Sequence, residues 1–198
     1  MITPHPYPRT STRPTTGFSL LEVLIALPII AIAASMLFST IAAAARQKNI
    51  HRENRRVTLA VRSVLEQMRN EDLASIFPLY NAEPFDDPSG PGTAPGNRFA
   101  IEGIAPRLDA ADARVAEIFL PAIDVSGGGP TPIWQVREDA VLPDLGLPRD
   151  LNLDSIVDDQ DHSLDYRVLP VRVEVSWQGA LGPRTLVMQT VLTEFRQD

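Results

Sequence analysis

An α+β chain is predicted: a long N-terminal helix, apolar at first and then amphipathic, laid on a small antiparallel β-sheet. Three observations predict it. The run from Phe18 to Ala45 holds 28 residues and one charge, Glu22. Beyond it, Val57, Val61, Val64, Leu65 and Met68 recur at helical spacing with Arg56, Arg62 and Arg69 between them. Near the end, Val171, Val173, Val175 and Trp177 alternate with Arg172, Glu174 and Ser176, the period of a half-buried strand.

The first 17 residues read as a leader to be removed, with Arg9 and Arg13, no acid, and prolines at 4, 6, 8 and 14. The apolar run that follows, at 1.5 Å per residue, is about 42 Å of helix, more than the ~30 Å hydrocarbon core of a bilayer. It is too long for an ordinary secretory signal, whose apolar core is about 7–15 residues. A carboxylate at Glu22, just inside such a run, is costly in lipid and points to function. A cut after Gly17 would leave a new α-amine on Phe18 about one helical turn from Glu22. The same amine on a neighbouring subunit, offset along the axis, could pair with this carboxylate and remove both charges from the lipid. Pro28 lacks a backbone donor and crowds the Leu24 carbonyl, so a kink or local opening between Leu24 and Pro28 is expected. Ala26, Ala31, Ala33, Ala34 and Ala42 to Ala45 permit close helix approach.

Gly17, Phe18, Ser19, Leu20, Leu21 and Glu22, followed by the unbroken apolar run, closely resemble the prepilin signature of type IV pilins and type II secretion pseudopilins. The resemblance covers Gly17 to about Arg56. It implies that a prepilin peptidase cuts after Gly17 and methylates Phe18. It further implies that Glu22 serves assembly with other pilins or pseudopilins in a hetero-oligomeric filament. The chain would be a minor pilin or pseudopilin, anchored once in the inner membrane with its C-terminal domain extracytoplasmic (periplasmic). Local Lys/Arg counting argues for the opposite orientation, since Arg46, Lys48, Arg52, Arg55 and Arg56 outnumber the leader's two arginines. The resemblance decides for the former. Its expected segments are a leader at 1–17, a transmembrane and filament-core helix at 18–45, an amphipathic continuation at 46–77 and a pilin-like domain at 78–198. The single helix would span nearly 60 residues and end near Ile76, ahead of Pro78.

After the helix, 81–97 carries four prolines and three glycines and reads as a loop. Arg98–Ile104, Arg114–Leu120 and Ile133–Arg137 read as short strands, and Ser126–Pro130 as a turn without the Lys-Ser/Thr of a phosphate loop. Strand Val171–Trp177 turns through Gln178–Pro183 and returns over Thr185–Phe195, a hairpin expected at the centre of the sheet. Its ending weakly resembles the last strands of PilV-type minor pilins and the pseudopilin I group.

Charge is divided along the chain. Arg46 to Arg69 carries seven Lys/Arg against two Glu, whereas residues 70–198 carry nine Arg against 22 acids. The acidic part would repel phosphates, so nucleic acid is excluded as its partner. The basic stretch suits lipid head groups or an acidic neighbour, or is a solvated helix face. The chain has no cysteine, so disulfides and thiolate metal sites are excluded.

One stretch has ligand spacing. Asp150, Asn152, Asp154, the Ile156 carbonyl, Asp158 and Asp161 occupy positions 1, 3, 5, 7, 9 and 12 of a loop that resembles the EF-hand and dockerin type, implying Ca²⁺. Val157 is apolar at the position that tucks inward. Two residues depart from the pattern: Ser155 stands where glycine permits a left-handed turn, and Asp161 replaces a longer glutamate. A solvated acidic loop is the alternative, and His162 reads as a bystander. No nucleophile elbow, zinc-protease or nucleotide motif occurs, so an enzyme is not expected. The competing function is a membrane-tethered calcium or ligand binder that does not polymerise.

Overall fold

The computed structural model describes residues 17, 19–129 and 131–194. It has the expected α+β composition, in two compact units divided between Arg46 and Gln47.

Helix α1, Leu20–Asn70, begins in the first unit and continues into the second. Its first part is apolar and exposed, with Leu20, Leu24, Leu27, Ile30 and Phe38 all facing outward. The helix is long and apolar enough to cross a membrane. Ser35, Ser39 and Thr40 return their hydroxyls to carbonyls of their own helix, Ile32 for the first and Met36 for the other two. That satisfies each polar group without water, as an apolar surrounding requires. The helix continues through Pro28, so the opening expected between Leu24 and Pro28 does not end it.

In the second unit α1 buries Val57, Val61, Leu65 and Met68, one stripe along a 3.6-residue period. Val64 packs at the margin of the same core. The expectation of one helix to residue 77 needs correction: α1 stops at Asn70, and a second helix, α2, spans Leu73–Tyr80. Asp72 takes an extended conformation at the N-cap of α2 and redirects the chain. The turn buries Ile76, Phe77 and Tyr80, and Pro78 lies inside the new helix rather than beyond the old one.

A four-stranded antiparallel sheet is built from β1 (Arg98–Phe99), β2 (Ala116–Phe119), β5 (Val168–Gly179) and β6 (Gly182–Thr193), in the order β1-β2-β5-β6. Strands β3 (Ala122–Asp124) and β4 (Trp134–Val136) pair separately. The β5–β6 hairpin closes through Ala180 and Leu181, with Gly179 opposite Gly182. Leu169, Val171, Val173, Val175 and Trp177 point into the core, as their alternation predicts. The hairpin is not central, however: β5 is internal and β6 is an edge. The Gln189 side-chain amide of β6 donates to the Asp144 carbonyl at 2.7 Å. The strand expected over Arg98–Ile104 is only two residues long, because the chain turns at Ile101–Ile104 with Gly103 at φ +72°. Ile101 and Ile104 are buried nonetheless.

Candidate functional site

Two places carry the candidate residues, one in each unit. In the first, Ser19 precedes α1, and its Oγ accepts the N–H of Glu22 at 3.1 Å. Its carbonyl accepts the N–H of Val23 at 3.2 Å. Ser19 is therefore the N-cap, and Ser-x-x-Glu is the capping-box pattern, legible in the sequence. Glu22 lies in the first turn, where the partial positive charge of the helix end favours a carboxylate. It thus has a local role beside any role in assembly. Gly17 is exposed, and nothing lies within 4 Å of the position a Cβ would take. Phe18 lies outside the described residues.

The second place is the acidic segment after β4. The Asp150 carboxylate accepts the N–H of Leu153 at 2.6 Å and that of Ser155 at 2.8 Å. These bonds hold a tight turn in which Leu153 (φ +67°) and Ser155 (φ +74°) are both left-handed. Ser155 thus has the conformation for which glycine is the usual residue, and Leu153 shares it. Asn152 accepts from the N–H of Asp154, and Asp154 from that of Ile156. Asp161 accepts from the N–H of Ser163 at 3.0 Å. Val157, expected to tuck inward, is 47% exposed. Asn152 and Asp154 are brought together, with Nδ2 donating to Oδ2 at 3.2 Å.

Asp158 turns elsewhere. Its Oδ1 lies 3.1 Å from His162 Nε2. The Nδ1 of that ring lies 3.0 Å from Asp165 Oδ1. Behind them sits Glu138, fully buried. Its Oε1 accepts the N–H groups of Leu151 at 2.6 Å and Asn152 at 3.1 Å. Its Oε2 has no hydrogen-bond partner and lies 3.9 Å from His162 Nε2. Ligand atoms of Glu138, Asp158 and His162 all fall within 4.8 Å of one another. The backbone sets this up: His162 N–H donates to the Val136 carbonyl at 2.9 Å, and Asp139 N–H to the Asp158 carbonyl at 3.2 Å.

The electrostatics follow the geometry. Burial alone would lower the His162 pKa, but the ring's hydrogen bonds to Asp158 and Asp165 and the Glu138 charge outweigh it and raise the value. The N–H of Gln160 and the His162 ring hold Asp158 below the usual carboxylate range. Sequence reading missed Glu138 altogether and set His162 aside, since only two long-range backbone hydrogen bonds, Asp139 to Asp158 and His162 to Val136, bring positions 138, 158 and 162 together.

Residues 13–38 match the family model of the prokaryotic N-terminal methylation motif. No curated protein and no solved structure matches the chain. The matched stretch includes Gly17, Phe18 and Glu22 and lies within the first unit. The N-terminus therefore carries the prepilin-type methylation motif.

Proposed function

We propose that this prepilin-type chain is a minor pilin or pseudopilin, a structural subunit of a type IV pilus-like or type II secretion filament. The methylation motif at residues 13–38, leading into an exposed apolar helix, carries the reading. A prepilin peptidase cuts after Gly17 and methylates the amine of Phe18. The apolar half of α1 anchors the chain once in the inner membrane and then enters the filament core. The acidic α+β unit lies on the extracytoplasmic side and joins other pilins or pseudopilins.

Glu22 is the assembly residue in this reading. In hydrocarbon its charge is tolerable only if neutralised, and the Phe18 amine of the adjacent subunit supplies the opposite charge. Exposed apolar side chains from Leu20 to Ile41 then exchange lipid for neighbouring helices.

Co-expression with the partner pilins, followed by shearing and in-situ cross-linking, tests the assignment. The chain should be recovered in the filament fraction, covalently joined to another subunit. Recovery solely as a single membrane-bound chain favours a tethered binder that does not polymerise.

A further inference from the structure

We propose that Glu138, Asp158 and His162 form a binding site for one divalent transition-metal ion of zinc-like character, independently of the filament reading. The starting observation is the Glu138 carboxylate. It is fully buried, and Oε1 is engaged by two backbone N–H groups while Oε2 has no partner. A buried carboxylate oxygen in that condition calls for a cation.

The ring of His162 supplies the second ligand. It is 4% exposed; its Nδ1 lies 3.0 Å from Asp165 Oδ1, which a proton on that nitrogen would satisfy, and 3.4 Å from Asn152 Nδ2. In the neutral ring, Nε2 then turns a lone pair toward Asp158 Oδ1 at 3.1 Å and Glu138 Oε2 at 3.9 Å. A lone pair facing two carboxylates is repulsive unless something positive lies between them. A proton on Nε2 satisfies Asp158, which is within hydrogen-bond reach, but leaves Glu138 too far away. A metal ion can bond all three. With ligand bonds of about 2.0–2.2 Å, neighbouring ligand atoms stand roughly 3.0–3.6 Å apart. The 3.1 Å from His162 Nε2 to Asp158 Oδ1 falls in that range and the 3.9 Å to Glu138 Oε2 exceeds it, so an inward shift of Glu138 Oε2 is needed to close the site. Asp165 then takes the part of a carboxylate that orients a metal-bound imidazole from behind.

The donor set selects the ion. Two carboxylates and one imidazole suit zinc and its neighbours, whereas calcium seeks six to eight oxygens. The Asp158 side chain is 26% exposed, which leaves a route in and room for water as a further ligand. Bound there, the ion would tie the segment carrying Asp158 and His162 to the chain leaving β4.

The experiment uses the full chain, chelator-stripped in detergent micelles and titrated with Zn²⁺ by calorimetry and with Co²⁺ by visible absorption. One ion per chain should bind, with a Co²⁺ band of nitrogen and oxygen ligation. His162→Ala and Asp158→Asn should each weaken Zn²⁺ binding by about tenfold or more. Glu138→Gln should do the same, and if it does not fold, the half-buried Asp158 carries the test. His51→Ala, on the basic helix, should bind as wild type does. Absence of saturable Zn²⁺ binding, or equal affinity in His162→Ala, overturns the site. So does binding of Ca²⁺ in preference to Zn²⁺ that is lost in Asp150→Ala, which returns the ion to the loop at 150–161.

Discussion

The hydroxyl of Tyr166 accepts the backbone N–H of Phe77 at 3.2 Å and donates to the carbonyl of Leu73. One side chain thus clamps both ends of the i, i+4 pair immediately before Pro78, where the proline ring crowds helical geometry. Tyr166→Phe should therefore cost about 1–2 kcal/mol, measured by denaturant unfolding of the detergent-solubilised chain.

The same hydroxyl predicts a response to alkali. Burial pushes its pKa from 10.0 up to about 12, with the Asp72 charge adding to the effect. The unfolded chain releases this proton first, so stability is complete below pH 10 and falls as pH rises toward 12. Tyr166→Phe should show a shallower fall across that window. An identical slope in both proteins contradicts the clamp.

The register of α1 on the sheet is tested by two neighbouring truncations. Met68 is fully buried, and Met68→Ala should cost about 2–5 kcal/mol. Leu59 is 54% exposed. Leu59→Ala should change stability by no more than about 0.5 kcal/mol. Comparable losses at both positions contradict this helix face.

Ser155 stores strain at φ +74°. Ser155→Gly should stabilise the chain by about 1 kcal/mol, read by thermal unfolding. Unchanged or lower stability indicates that the serine relaxes out of the left-handed region.

The helix-start role and the proposed assembly role of Glu22 can be separated by substitution. Glutamine serves a capping box as glutamate does, so Glu22→Gln preserves the helix start and deletes the charge. If the charge pairs with the Phe18 amine of a neighbour, Glu22→Gln and Glu22→Ala should both lose incorporation into cross-linked filaments. Wild-type incorporation of Glu22→Gln assigns the residue to capping alone.

Periodicity made the large elements legible. The stripe Val57, Val61, Leu65 and Met68 and the alternation from Val171 to Trp177 each carry a full repeat of their element. Strand β3 is three residues long and leaves no such trace. In sequence Pro78 reads as the helix stop, whereas in the structure Asp72 makes the turn and Tyr166, far along the chain, bonds the α2 backbone just before Pro78. The left-handed turn at Ser155 was readable from loop spacing. Glu138 was not, because an acid beside Arg137 and Asp139 looks solvated until β4 and the segment at 158–163 pair around it. The N-terminal motif was legible because its residues are contiguous, and no tertiary contact is needed to assemble it.

The mass of the mature N-terminus decides whether the chain is processed as a prepilin. Co-expressed with a prepilin peptidase and extracted from membranes, the chain should begin at a methylated Phe18, and Gly17→Leu should keep its leader. A mature chain that begins near Arg46, or one that retains Met1 in the wild type, shows that it is not a prepilin.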